Sequence, residues 1–508
     1  MITNKEFTQI INKIEMEFPV ANLVFSEVKI WPLLRLIILN RLTSNEIDFH
    51  SGKGENYSAR KLYNYFLKPA FVDYREINKL TDVLNYETSN IYADKDTDVL
   101  YFLKPGERTE VVNQKMFSRF GNSLGYFSEG NDLNFKIIEY SDGIFSPDRK
   151  HGSSIYIDAD FKKAKFKFYL NLIKGKIFRR KERHIENWAP FITYLTEIQL
   201  DFGYSETAII ERVVEILQLK NVFRKCIKLY NPSLIFLTCF YSDYAFALTL
   251  AAQEHGIKVV ELQHGQQGDF HMMYSHWENY PIEGYDLIPD IFWMWSRANL
   301  PRIEQWTKHC KKHRVIVGGN PWLGYSIQHS NVAVLPEQFL RKIKTFNKVV
   351  LLSLQHSKIP KILIDAIDRE ENILWLIRLH PRFIHERNVI ETELSKLSNQ
   401  NYELAVANQM SIYNLFDVVD VQVTFWSTVA YESLAFDVPT IIVHENGQDA
   451  MSSYIEKGIF RYSENTKEII DLVNNSHVVF KKEEERYIEF DKELIQSKLT
   501  SLLGKTEN

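Results

Sequence analysis

Cysteine is scarce. Cys226, Cys239 and Cys310 are the only three in 508 residues, and no CxxC or Cys/His ligand spacing joins them. That argues against a disulfide scaffold and a structural zinc site, and it fits a reducing cytoplasm. Long apolar runs are also missing. The most apolar early stretch, NLVFSEVKIWPLLRLIILNRL (22–42), is broken by Glu27, Lys29 and Arg35, short of the roughly 20 residues a membrane helix needs. The N-terminal MITNKEFTQIINKIEMEF mixes charges of both signs, unlike a signal peptide. There is no global excess of base: the formal net charge is -4, which argues against a nucleic-acid binder. No internal repeat or low-complexity tract is visible.

What is present is an ordinary globular composition, 45% hydrophobic and 25% charged, in a chain too long for one core. Residues 1–45 read as helical, with Pro32 as a kink or a helix start. Residues 46–95 read as polar helix and loop. DVLYFLKPGER (98–108), PSLIFLTCF (232–240), IKVVELQHG (257–265), DIFWMWS (290–296) and RVIVGGNP (314–321) are apolar strands, and SDYAFALTLAAQEHG between two of them is a helix with Gly256 as C-cap. GGNPWLGY reads as a linker, after which the strand–helix pattern restarts at KVVLLSL (348–354) and continues through ENILWLIRLHP, SIYNLFDVVDVQVTF, STVAYESLAFD and VPTIIVH. Continuous apolar strands alternating with helices predict parallel sheets covered on both faces. The expected architecture is α/β: two doubly wound Rossmann-like domains facing a cleft, with helical N-terminal additions. The boundaries fall at 1–325, 326–485 and a C-terminal helix or tail, 486–508.

Ligands in such sheets sit beyond the carboxyl ends of the strands, and there the chemistry-bearing residues collect. RLHPRF (378–383) ends a strand with Arg378, His380 and Arg382, a set suited to phosphate; a solvated loop is the plain alternative. In TFWSTVAYESLAFD, Ser427 and Thr428 open a helix where hydroxyls and free amides suit an anion, and Glu432 lies one turn on, placed to accept from ribose hydroxyls. Simple N-capping also explains Ser427 and Glu432. In VVELQHGQQGDFH (259–271), His264 suits a general base, with Glu261, Asp269 and His271 as nearby alternatives and a structural loop histidine as the bland one. Glu107 and Arg108 of PGER reach towards an acceptor or form surface salt bridges. No third ligand joins His264 and His271, so no metal site is expected.

The His-Pro loop followed by a Ser-Thr helix start resembles bacterial GT-B glycosyltransferases of surface polysaccharides. These include sialyl- and polysialyltransferases, Kdo-transferring capsule enzymes and CDP-glycerol glycerophosphotransferases. The resemblance spans roughly 345–465. It implies that His380, Ser427 and Thr428 hold the donor phosphate, that Glu432 binds ribose, and that His264 is the base, by similarity to a Trp-His-Gly loop in which Gln263 replaces Trp. KIWPLLR resembles an N-terminal feature of capsule and O-antigen proteins. The implied function is transfer of a sugar from a CMP-, CDP- or UDP-linked donor to a capsule or O-antigen acceptor, a glycan or lipid-linked glycan. Arg378 and Arg382 would join the phosphate clamp, and Glu261 and His380 would assist catalysis. No cofactor beyond the donor is implied, and no carboxylate motif stands out as a metal anchor. The alternatives are a nonhydrolysing sugar-nucleotide epimerase, which shares the architecture, and a non-catalytic scaffold of a polysaccharide assembly complex. Residues 160–184 interleave base with Phe, Tyr, Leu and Ile, which suits an anionic membrane surface or a solvated helix face. The expected location is the cytoplasm or the inner face of its membrane.

Overall fold

A computed structural model describes residues 4–43, 97–104, 106–112, 114–139, 154–157, 160–161, 164, 184–265, 267, 271–329, 335–356, 358–476 and 487–505. The segment expected as helix and loop at 46–95, Asp269, and nearly all of the basic stretch 160–184 lie outside these residues.

The strands are β1 (Val24–Phe25), β2 (Val28–Lys29), β3 (Val99–Leu103), β4 (Arg108–Val112), β5 (Lys115–Ser118), β6 (Phe135–Glu139), β7 (Ser154–Tyr156), β8 (Leu234–Leu237), β9 (Lys258–Leu262), β10 (Ile291–Met294), β11 (Arg314–Val317), β12 (Lys348–Ser353), β13 (Ile373–Arg378), β14 (Tyr402–Glu403), β15 (Val421–Thr424), β16 (Thr440–Ile442) and β17 (Phe460–Tyr462). Two short antiparallel hairpins, β1–β2 and β4–β5, stand apart. The others form two wholly parallel sheets, β11-β10-β9-β8-β3-β6-β7 and β14-β13-β12-β15-β16-β17. Each grows outward from its first strand in one direction and then the other, which is the doubly wound order. The switch points therefore lie between β3 and β8, and between β12 and β15. Buried all along, β3 and β8 need the unbroken apolar runs that the sequence supplies. This is the expected two-domain α/β architecture.

Local signals position the crossover helices. Ser242 opens Asp243–Gln253 by accepting from the Ala245 amide at 3.2 Å, and Gly256 beyond its end takes φ +68. Pro32 stands in the first turn of helix Trp31–Thr43, so it starts that helix. GGNPWLGY is not a loose linker. Asn320 accepts from the Leu323 amide at 3.1 Å and caps a helix, Pro321–Gln328, whose first residue is proline. This helix packs against Gly121–Glu129 of the first domain, where Trp322 and Tyr325 lie beside Phe117. The last helix, Lys492–Leu502, does not trail away either. It returns to the first domain, where the Asn131 side chain donates to the Gln496 carbonyl at 2.9 Å and Lys505 pairs with Asp98 at 2.8 Å.

The N-terminal addition is built on a fully buried ion pair. Glu15, on helix Asn4–Glu17, pairs with Arg35 and accepts from Trp31 Nε1 at 2.7 Å and from the Glu278 amide at 2.6 Å. Arg35 Nη2 donates to the carbonyls of Ser275 and His276, and its guanidinium lies 4.1 Å from the Trp277 ring centre. KIWPLLR thus grips segment 275–278, which follows His271 and Tyr274 at the site described next.

Candidate functional site

Parallel register decides what meets at the first sheet's carboxyl edge. Leu237 of β8 is level with Glu261 of β9, so Cys239, two residues on, and His264, three residues on, emerge together. Cys239 Sγ lies 2.8 Å from His264 Nε2, and Tyr241 Oη stands 3.5 Å from the same nitrogen. On the other side of the ring, His264 Nδ1 is 3.8 Å from Glu261 Oε1. Glu261 accepts from Tyr274 Oη and, at 3.4 Å, from the Phe240 amide. Among the described residues no hydrogen-bond partner reaches Glu261 Oε2, His264 Nδ1 or His271 Nδ1.

Burial sets the charges here. It pushes the Glu261 carboxyl up to about 8 against the pull of His264, and the His264 imidazole down to about 4 against Glu261. His271, packed on Tyr274 with ring centres 4.7 Å apart, is likewise lowered to about 4 by burial. Burial thus favours the protonated carboxyl and the neutral imidazole, and the two groups titrate as an interacting pair. Glu107, at the switch point, is a second carboxyl at this edge. It is buried, raised by desolvation, and accepts from Tyr101 Oη, Ser118 Oγ at 3.0 Å and Thr238 Oγ1 at 3.1 Å.

Arg108, expected towards an acceptor, is engaged within the protein. Its guanidinium is buried and donates to Glu139 at 3.0 Å, Asn122 at 2.8 Å and Ser154 Oγ at 2.9 Å, tying the β4–β5 hairpin to β6 and β7. The surface salt bridge expected of PGER is therefore an internal one.

The second sheet repeats the logic. Ser353 of β12 is level with both Arg378 and Thr424, which brings His356, His380 and Ser427 to one edge. At the switch point Trp426 stands between two histidines, His356 with ring centres 5.0 Å away and His444 at 4.8 Å. The Trp426 amide donates to Gln355 Oε1 at 2.7 Å, which fixes the turn. Ser427 and Thr428 follow it directly in the chain, and they and His380 are all partly exposed. Arg378, expected on phosphate, is largely used by the protein. Its Nη1 donates to the carbonyls of Ala407 and Met410, both at 2.7 Å. Arg382 lies in the turn Pro381–Glu386 directly after His380.

The two edges meet. A Cβ on Gly265, next to His264, would lie 3.6 Å from Thr428 Cγ2. Close by, Glu110 and Arg119 of the first domain form an ion pair beside Glu432 and Tyr413 of the second. Glu432 is buried, accepts from Tyr413 Oη at 2.8 Å, and has its carboxyl raised by desolvation. The carboxylate expected on ribose is thus engaged at the domain junction.

No protein-family model matches the chain, and no curated protein matches it in sequence. Solved structures do. The chain is similar to UDP-GlcNAc 2-epimerase from Neisseria meningitidis bound to UDP-GlcNAc, with 14% identity, 81% of this chain and 100% of that one covered, and a TM-score of 0.47. It is similar to UDP-GlcNAc 2-epimerase from Methanocaldococcus jannaschii at 13% identity, 79% and 99% coverage and a TM-score of 0.47. A trehalose 6-phosphate synthase from Burkholderia multivorans follows at 11% identity, 80% and 94% coverage and a TM-score of 0.40. Likeness at this distance adds nothing to the strand order already described.

Three features escaped the sequence reading. Cys239 and Tyr241 come to His264 only through the pairing of β8 with β9. Trp426 was visible one residue before Ser427, and its flanking histidines mark the ends of two other strands. Arg119 directly follows the β4–β5 hairpin, whose strands are too short to carry a clear period. Among the described residues no group of three His, Cys, Asp or Glu is arranged to hold a metal, and no helix is long and apolar enough to cross a membrane.

Proposed function

We propose that this chain is a glycosyltransferase that moves a sugar from a nucleotide-activated donor to a growing surface polysaccharide. The observation that carries the reading is the meeting of two edges: an imidazole beside a buried carboxyl on one domain, and partly exposed hydroxyls, an imidazole and an indole on the other. The second domain takes the donor. Ser427, Thr428 and His380 contact the phosphate, and Trp426 offers a face for the base. Arg382, two residues after His380 in the sequence, adds charge. The first domain takes the acceptor. His264 accepts the proton of the attacking hydroxyl as the bond from the sugar to phosphate breaks, and the charge that grows on the leaving phosphate meets His380, Ser427 and Thr428. The motif resemblance supports a CMP-, CDP- or UDP-linked donor.

Product analysis of sugar-nucleotide mixtures tests this. Transfer releases free nucleotide only when a glycan acceptor is added, and His264→Gln lowers the turnover rate by about 10²- to 10⁴-fold. One observation favours a second reading. Glu107 and Glu261 are buried carboxyls at one strand edge, both raised by desolvation, which suits acid/base exchange at a sugar carbon, as in an epimerase. An epimerase would interconvert its donor without acceptor and without nucleotide release. That product pattern would replace the first reading with the second.

A further inference from the structure

Cys239 has more around it than a spare thiol needs. It stands two residues past β8 and four before helix Asp243–Gln253. Its φ is +52, in the left-handed region that a residue with a Cβ seldom occupies. Such strain persists where the surroundings over-determine the backbone, and it clusters at functional sites. Here it brings Sγ to 2.8 Å from His264 Nε2 and 3.7 Å from Tyr241 Oη, while Glu261 lies at the far nitrogen of the same ring. The order is thiol, imidazole, carboxyl: a nucleophile, an adjacent base and a third group behind the base. Glu261 is itself 99% buried with Oε2 unpartnered among the described residues, so the cluster is not closed on itself. Both Cys239 and His264 keep part of their surface exposed.

We propose that Cys239 is an activated thiol, a site of covalent modification by disulfide-type and alkylating electrophiles at the edge of the cleft. With an aromatic disulfide the step balances. The Sγ proton passes to His264 Nε2, Sγ attacks one sulfur, the S–S bond breaks, and the aryl thiolate leaves with the electron pair. The product is a mixed disulfide on Cys239 that stands against the His264 ring. The other cysteines lack this setting. Cys226 lies within helix Glu206–Tyr230, where burial pushes its thiol up to about 12, and Cys310 stands in the loop after helix Pro301–Thr307.

The experiment is timed labelling of the full chain with 5,5′-dithiobis(2-nitrobenzoate), quenched and mapped by peptide mass spectrometry. Cys239 is expected to react at least tenfold faster than Cys226 or Cys310. Cys239→Ser should remove the fast phase, and His264→Gln should slow Cys239 at least tenfold. Cys310 keeps its rate in a folded variant and so reports folding. A Cys239 rate no faster than that of Cys310, or one unchanged by His264→Gln in protein that passes this control, overturns the proposal. The labelling does not depend on the transferase reading. If Cys239 labels fast and transfer continues undiminished, His264 is not the base, and the thiol assignment stands.

Discussion

At the scale of single residues, Glu261 and His264 pull stability in opposite directions with pH. The Glu261 carboxyl is raised to about 8 in the fold. Between its unfolded value near 4.5 and about 8, the folded state holds the proton that the unfolded chain has released. Its contribution is therefore full below about 4.5 and is lost as pH rises to 8. Glu261→Gln, which mimics the protonated form, should gain melting temperature relative to the parent as pH goes from 5 to 8. A constant difference across that range would show that Glu261 is ionised in the fold. Trp426 makes a second residue-level case. Base–aromatic stacking is worth about 1–3 kcal/mol, so Trp426→Ala should weaken nucleotide binding about fivefold or more by calorimetry. An unchanged Kd would remove the indole from the donor site.

At the scale of elements, the N-terminal helices and the segment after His271 behave as one piece. Arg35→Ala strands the Glu15 carboxylate in a dry interior, and breaking a buried pair in this way costs about 3–5 kcal/mol. Urea unfolding should show that loss, whereas a loss near zero would mean water enters around Glu15. His313 fixes the neighbouring loop in a neutral state. Its Nδ1 donates to the Pro289 carbonyl at 2.8 Å and its Nε2 accepts from the Tyr285 amide at 3.0 Å. Burial lowers it to about 4. The unfolded chain takes up a proton near 6.5 and the fold resists until about 4, so this stability is complete above 6.5 and drains away as pH falls. His264 and His271 share the direction. The urea midpoint should drop from pH 6.5 to 4.5, less steeply in His313→Gln. A flat profile would contradict the neutral assignment.

At the scale of the whole molecule, much was legible because parallel strands buried on both faces leave an unbroken apolar signature. Every strand named from the sequence in both sheets exists, and His264, His380 and Ser427 stand beyond the ends of β9, β13 and β15. What stayed hidden depends on pairing rather than composition. Arg108 and Glu432 look like surface charges in the sequence and are internal, because the hairpin folds over one and the other domain covers the other. Arg378 looked free for phosphate until two carbonyls of a short helix claimed it. Helix Glu206–Tyr230 was legible and unread: Ser205 caps it, and Ile209, Ile210, Val213 and Val214 keep its period. The edge carrying Trp426, Ser427 and His380 is the proposed nucleotide site. Thermal shift with CMP, CDP, UDP, GDP, ADP and dTDP on the parent, His380→Ala and Ser427→Ala tests it most directly. One cytidine or uridine nucleotide at 100 times its Kd should stabilise the parent by about 2.7 kcal/mol and both variants by much less. No response to any nucleotide, or one that both variants retain in full, would contradict the account.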